Sequence, residues 1–89
     1  MMMGKVIGRV SSTQKSDGLR GCTFVVVQPI GRDGNPQGNI VVAADGLGTG
    51  MGQVVLLCSG GAARRAVPHV DGPIDLAVAA VLDSVDING

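Results

Sequence analysis

Aromatic side chains are nearly absent from this chain: Phe24 stands alone, with no Trp and no Tyr. Proteins that hold single-stranded nucleic acid need stacking platforms in a basic groove. Here the formal net charge is zero as well, so neither half of that requirement is met and no nucleic-acid partner is expected. Histidine is as scarce. His69 is the only one, which leaves a catalytic His or a multi-His metal site without partners inside one chain. The simple reading is a loop residue after Pro68; the sharper ones are a pH switch or a metal site repeated on a symmetry axis. Cys22 and Cys58 each lie alone in an apolar segment with no CxxC or Cys/His spacing, so neither a disulfide framework nor a zinc site is signalled. Both read as buried, reduced thiols. Asp45, Asp71, Asp75, Asp83 and Asp86 form no acid pair by spacing, and Asp75 reads as a cap on the turn into the last element. With no nucleophile and base to assemble, no catalytic residue, metal or cofactor is expected.

Charge of either sign is also short. Charged residues make up 16% of the chain against about 25% in ordinary soluble domains, while 45% are apolar. A surface so poor in charge tends to associate. No apolar run approaches the roughly 18 residues of a membrane span, and Met1-Met2-Met3-Gly4-Lys5 leads into a strand pattern, not a signal-peptide core. The reading is a cytosolic protein with no membrane contact, the repeated Met at the start being an artefact of the start site. One domain over residues 1–89 is expected. Domains of this size bury only about 60–65% of their unfolded surface, so a partner adds much to their stability.

What is abundant is glycine, and its densest stretch is Asp45-Gly46-Leu47-Gly48-Thr49-Gly50-Met51-Gly52, which runs into the apolar Gln53-Val54-Val55-Leu56-Leu57-Cys58. Alternate glycines imply positive φ angles or a very close neighbour. A phosphate is one candidate neighbour, but the spacing is not GxGxxG, no GK[ST] follows, and a strand comes next where a helix N-terminus is needed.

The rest of the chain reads as strands and turns. Lys5 to Val10 is a first strand, and Ser11 to Gly21 a polar loop with Leu19 as a packing plug. Thr23 to Gln28 is too continuously apolar for a strand with one wet face, so it belongs at a centre or against another subunit, and Pro29 ends its pairing. Gly31 to Gly38 is a hairpin loop, Ile40 to Ala44 its return strand, and Gln53 to Cys58 a fourth strand. Ser59 to Pro68 fits one or two helical turns, with Ser59 as cap and Arg64 and Arg65 on the surface. From Ile74 to Val85 the Ala and Leu content fits a helix and the Val positions fit a closing strand. Strands joined by short turns point to a mainly β small barrel or sandwich.

The order of motifs adds more than any one of them. Gly8-Arg9-Val10-Ser11-Ser12-Thr13-Gln14-Lys15, Leu19-Arg20-Gly21, Val27-Gln28-Pro29-Ile30, Ala44-Asp45, Gly48 to Gly52, Ser59-Gly60-Gly61-Ala62-Ala63-Arg64 and Pro73-Ile74-Asp75-Leu76-Ala77 follow in that sequence. Together they resemble the EutN/CcmL family of bacterial microcompartment vertex proteins over nearly the full chain. The resemblance implies a five-stranded, OB-like β-barrel with a short helix, a closing strand at the end, and a homo-pentamer that caps the fivefold vertices of a shell tiled by hexameric proteins. It implies no catalysis. In that light Gly48, Thr49, Gly50, Met51, Gly52 and Gln53 become a candidate assembly loop near the axis, and Arg64 and Arg65 candidate contacts to other subunits or shell proteins. An acidic residue often follows the glycines in the family; Gln53 stands here, so an ion pair made there between subunits is replaced by a neutral hydrogen bond. The competing class is a small OB-like module for a ligand or oligonucleotide.

Overall fold

The computed structural model describes residues 1–10, 23–66 and 75–83, apart from the Arg64 side chain. The strands β1 (Met2–Val10), β2 (Thr23–Ile30), β3 (Val41–Asp45), β4 (Val54–Ser59) and β5 (Leu76–Leu82) close into a barrel in the order β1-β2-β3-β5-β4. The helix α1 (Gly60–Ala66) sits between β4 and β5. All neighbouring pairs run antiparallel except β3 and β5, which are parallel and share a single partner pair, Ala44↔Ala77. The expected five-stranded barrel with a short helix is therefore the observed one. The ambiguous tail is a strand over its described part, because β5 is what closes the gap between β3 and β4.

Closure explains the strand that looked too apolar. Along β2, Val25 and Val27 point inward and are wholly buried, while Phe24 and Val26 face out and are half-covered. The interior is filled by Val6, Val25, Val27, Ala43, Val55, Leu57 and Val78. Each buried Val or Leu of this kind contributes about 1.5–3 kcal/mol relative to an exposed one. A second, thinner layer lies under α1, where Ala63 meets Ala44, Cys58 and Ala77, with Phe24, Ala66 and Ala79 at its margin. Cys58 is buried there as expected, its Sγ–H 3.6 Å from the Ala77 carbonyl.

Several boundaries differ from the sequence reading. β1 begins at Met2, not Lys5, and the repeated Met is part of the fold: Met2 pairs with Leu57, and Met3 with both Leu56 and Ile30. Pro29 does not end β2, since it stands opposite Gly4 with Ile30 paired beyond it. The last β2–β3 partners are Val27 and Val41, so no β3 residue needs an N–H from Pro29, whose open side is met instead by the following turn. Ser59 is the last residue of β4, paired with Leu76, and the helix follows directly. Asp75 contributes its backbone carbonyl, which accepts from Gly60 N at 3.1 Å.

Two register slips shape the wall. Val6 faces Val27 and Gly8 faces Val26, which leaves Ile7 unpaired and turned outward. A second slip at Leu56/Leu57 skips Ala79. Gly4 is needed for closeness: a Cβ there would stand 2.3 Å from Val27 Cγ1 and 3.2 Å from the Gln28 carbonyl oxygen. The Gly31 to Gly38 turn forms as expected, held by Asn35 N–H to Asp33 Oδ1 at 3.0 Å and by Gln37 N–H to the Pro29 carbonyl at 2.8 Å. Those bonds from Asn35 hold the exposed Asp33 carboxyl below the usual carboxylate range. The 11–21 loop, Leu19, Cys22, Pro68, His69, Asp71 and Asp86 lie outside the described residues.

Candidate functional site

The glycine-rich loop leaves the barrel at the end of β3 and returns into β4. Asp45, the last residue of β3, is only 5% exposed. Its Oδ1 accepts from Leu47 N–H at 2.9 Å, and its Oδ2 from Thr49 N–H at 2.8 Å and Thr49 Oγ1–H at 2.9 Å. Thr49 is 1% exposed, the one buried residue between Gly46 and Gln53. From the far side the Arg9 guanidinium donates to the Thr49 carbonyl. Thr49 is thus held at its amide, hydroxyl and carbonyl, while Leu47 and Met51 are turned out, 54% and 63% exposed.

The second half of the loop closes on itself and on β1. Gln53 Oε1 accepts from Gly50 N–H at 2.6 Å. Gly52 N–H donates to the Val6 carbonyl at 2.8 Å and Val6 N–H to the Gln53 carbonyl at 2.9 Å, which extends the β1–β4 ladder into the loop. This hydrogen bond of Gln53 lies within its own chain and is not the expected one between subunits. The glycines divide into two kinds. Gly48 and Gly52 have φ of 72° and 82°, the left-handed region that disfavours a side chain. Gly50 has no such angle, and a Cβ there would meet only the Gln53 amide at 3.6–3.8 Å. Among the described residues no atom lies near the missing Cβ of Gly48 or Gly52. Positive φ is thus the local reason for those two glycines, and no close neighbour among the described residues explains any of the three.

The outer face of β1, β2 and β3 continues the apolar theme. Gly8, Val26 and Val42 form one outward row, with Ile7 beside it and Ile40 just before β3. Ile7, Ile40 and Val42 are 44%, 57% and 52% exposed. Arg65 is exposed on α1 and lies apart from the loop in sequence; its terminal nitrogen is 3.9 Å from where a Gly61 Cβ would stand. Sequence reasoning singled out the loop, with Asp45 at its head, but gave Asp45 and Arg9 no part in holding it. An Asp at a strand end before Gly signals a side-chain turn to the residue two on, here Leu47. Arg9 is 40 positions from Thr49, and only barrel closure brings them together.

Fold and loop define a small closed β-barrel with a pinned, outward-facing apolar loop and a bare apolar wall. The family described as ethanolamine utilisation protein EutN/carboxysome matches residues 1–83, and the chain belongs to this EutN/CcmL family. The carboxysome shell vertex protein CcmL of Thermosynechococcus vestitus is 45% identical over 85 residues, covering 96% of this chain and 86% of that protein. The solved structure of Gloeobacter violaceus CcmL superposes with a TM-score of 0.91 at 36% identity, covering 99% of this chain and 91% of the other. That of the GrpN pentameric microcompartment shell protein from Rhodospirillum rubrum gives 0.85 at 36% identity over the full length of both chains.

Proposed function

We propose that this protein is a structural, non-enzymatic shell subunit of a bacterial microcompartment, forming a cyclic pentamer that caps the fivefold vertices. Its cellular place is then the shell, in the cytoplasm. A flat sheet of hexagons cannot close without fivefold points, so a capping ring needs a head-to-tail contact that repeats and closes, and a rim that meets hexameric shell proteins. The observation that carries the ring is the uncovered apolar surface of Ile7, Ile40, Val42, Leu47 and Met51 on a chain with little charge. Such a surface is stable in water when a second copy covers it. Gly48 to Gln53 belong to that contact near the axis, while α1, the element that carries Arg64 and Arg65, meets the neighbouring subunit or the surrounding shell proteins.

Native mass spectrometry of the purified protein is expected to show a closed pentamer, and a stable monomer across micromolar concentrations overturns the reading. Deleting the protein from its host is expected to leave shells elongated or open. Calorimetry with oligonucleotides is expected to detect no binding, and measurable affinity would move the assignment to an OB-like binding module.

A further inference from the structure

We infer that Asp45 is the positioning residue of the assembly loop: its carboxylate pins Thr49 inward, and that pin is what presents Leu47 and Met51 to the next subunit. The inference rests on the reading that this loop contacts a second copy. A carboxylate at 5% exposure is expensive unless its oxygens are satisfied. Here all the donors come from the loop, at Leu47 N, Thr49 N and Thr49 Oγ1, and among the described residues no Lys or Arg pairs with it. The charge of Asp45 is therefore spent on loop shape. Hydrogen bonds to a charged group are stronger than neutral ones, so the loop cannot relax without leaving a buried anion unpaired. The loop is not extended, because Gly48 turns the backbone through the left-handed region just before Thr49 and Gly52 does so again just after Met51, so a Thr49 fixed inward leaves its neighbours Leu47 and Met51 outside. Both are exposed on either side of a residue that is almost wholly buried. The Arg9 bond to the Thr49 carbonyl is the second strut.

The substitutions separate shape from mere stability. In Asp45→Asn one carboxamide end is a donor and faces an N–H in either orientation. Thr49→Val keeps the shape of the side chain but loses the hydroxyl bond, and Thr49→Ser keeps that bond. Hydrogen exchange at the Leu47 and Thr49 amides is expected to speed up about tenfold or more in Asp45→Asn, with Val25 and Leu57 in the barrel protected as before. Native mass spectrometry is expected to show loss of pentamer in Asp45→Asn and Thr49→Val and near-normal pentamer in Thr49→Ser. Loosened loop amides with an intact pentamer overturn the positioning role. Leu47→Ser with Met51→Ser tests the underlying reading independently: if that double variant still forms pentamers, the loop is not a contact, and the inference falls with it. Should Asp45→Asn not fold, Arg9→Met removes the other strut at an exposed side chain, and full pentamer yield in it together with Thr49→Val overturns the inference.

Discussion

Gly48 and Gly50 are two residues apart, yet substitution at each is expected to fail for a different reason. At Gly48 the φ of 72° makes any side chain strained whatever the space around it. Gly48→Ala is therefore expected to cost about 1–2 kcal/mol in the isolated chain. For a domain of this size that lowers Tm by roughly 4–16 °C. At Gly50 no left-handed angle is required, and the nearest atoms to a new Cβ are the Gln53 Oε1 at 3.6 Å and Cδ at 3.8 Å, ordinary contact distances. Gly50→Val is then expected to change the stability of the isolated chain by no more than about 0.5 kcal/mol. In the ring the same valine meets another copy, and overpacking a fitted contact costs about 1–3 kcal/mol. Each contact is weakened about 5- to 150-fold by that amount, and a pentamer contains every contact five times. The assay is native mass spectrometry or sedimentation across a concentration series, with denaturation run where the ring is dissociated, since ring formation itself raises apparent stability. Gly50→Val rings forming at wild-type concentrations would show that this part of the loop faces no second subunit. A Gly50→Val monomer as unstable as Gly48→Ala would refute the local geometry.

Three other outcomes are expected. Gly4→Ala drives a methyl to within 2.3 Å of Val27 Cγ1 and is expected to destabilise the barrel by about 1–3 kcal/mol, with Val27→Ala in the same chain relieving part of the loss; strict additivity in urea denaturation would refute the clash. Asp33 has a folded pKa below its unfolded value, so its turn is favoured while the carboxyl is ionised and weakens as pH falls from the ordinary carboxylate range through the lowered folded value. An NMR titration of Asp33 should follow that order, and an unshifted midpoint would contradict it. Val42→Asp, on the exposed face of β3, is expected to leave the fold intact while abolishing the ring, read by scattering mass, and an intact pentamer would clear that face of contact.

Strands β2, β3 and β4 were legible because Val25, Val27, Ala43, Val55 and Leu57 fall in runs bounded by Gly and Pro, which is local information. Met2 and Met3 were missed for the opposite reason: their strand character comes from Leu56, Leu57 and Ile30, partners far along the chain. Pro29 misled because proline's missing N–H matters only where a neighbour needs it, and β3 has already ended there. The tail from Leu76 to Leu82 has alanine in a strand, a tertiary choice that overrides propensity because α1 needs small residues beneath it. The glycine loop drew notice by composition, but its organiser, Asp45, is an unremarkable acid until three donors are seen to converge on it.

The single parallel pair Ala44↔Ala77 makes the β3–β5 seam the least zipped part of the wall. Ala63 of α1 shares one buried cluster with both of these alanines, and the helix packs chiefly on β4 and β5, so it latches the β5 side of the seam. A subunit waiting to join a shell would breathe here first, and an unlatched barrel is a curled sheet with two raw edges ready to pair with any passing strand. The seven-residue helix is then a safeguard for the unassembled chain, keeping it from polymerising along its edges before its proper neighbours arrive.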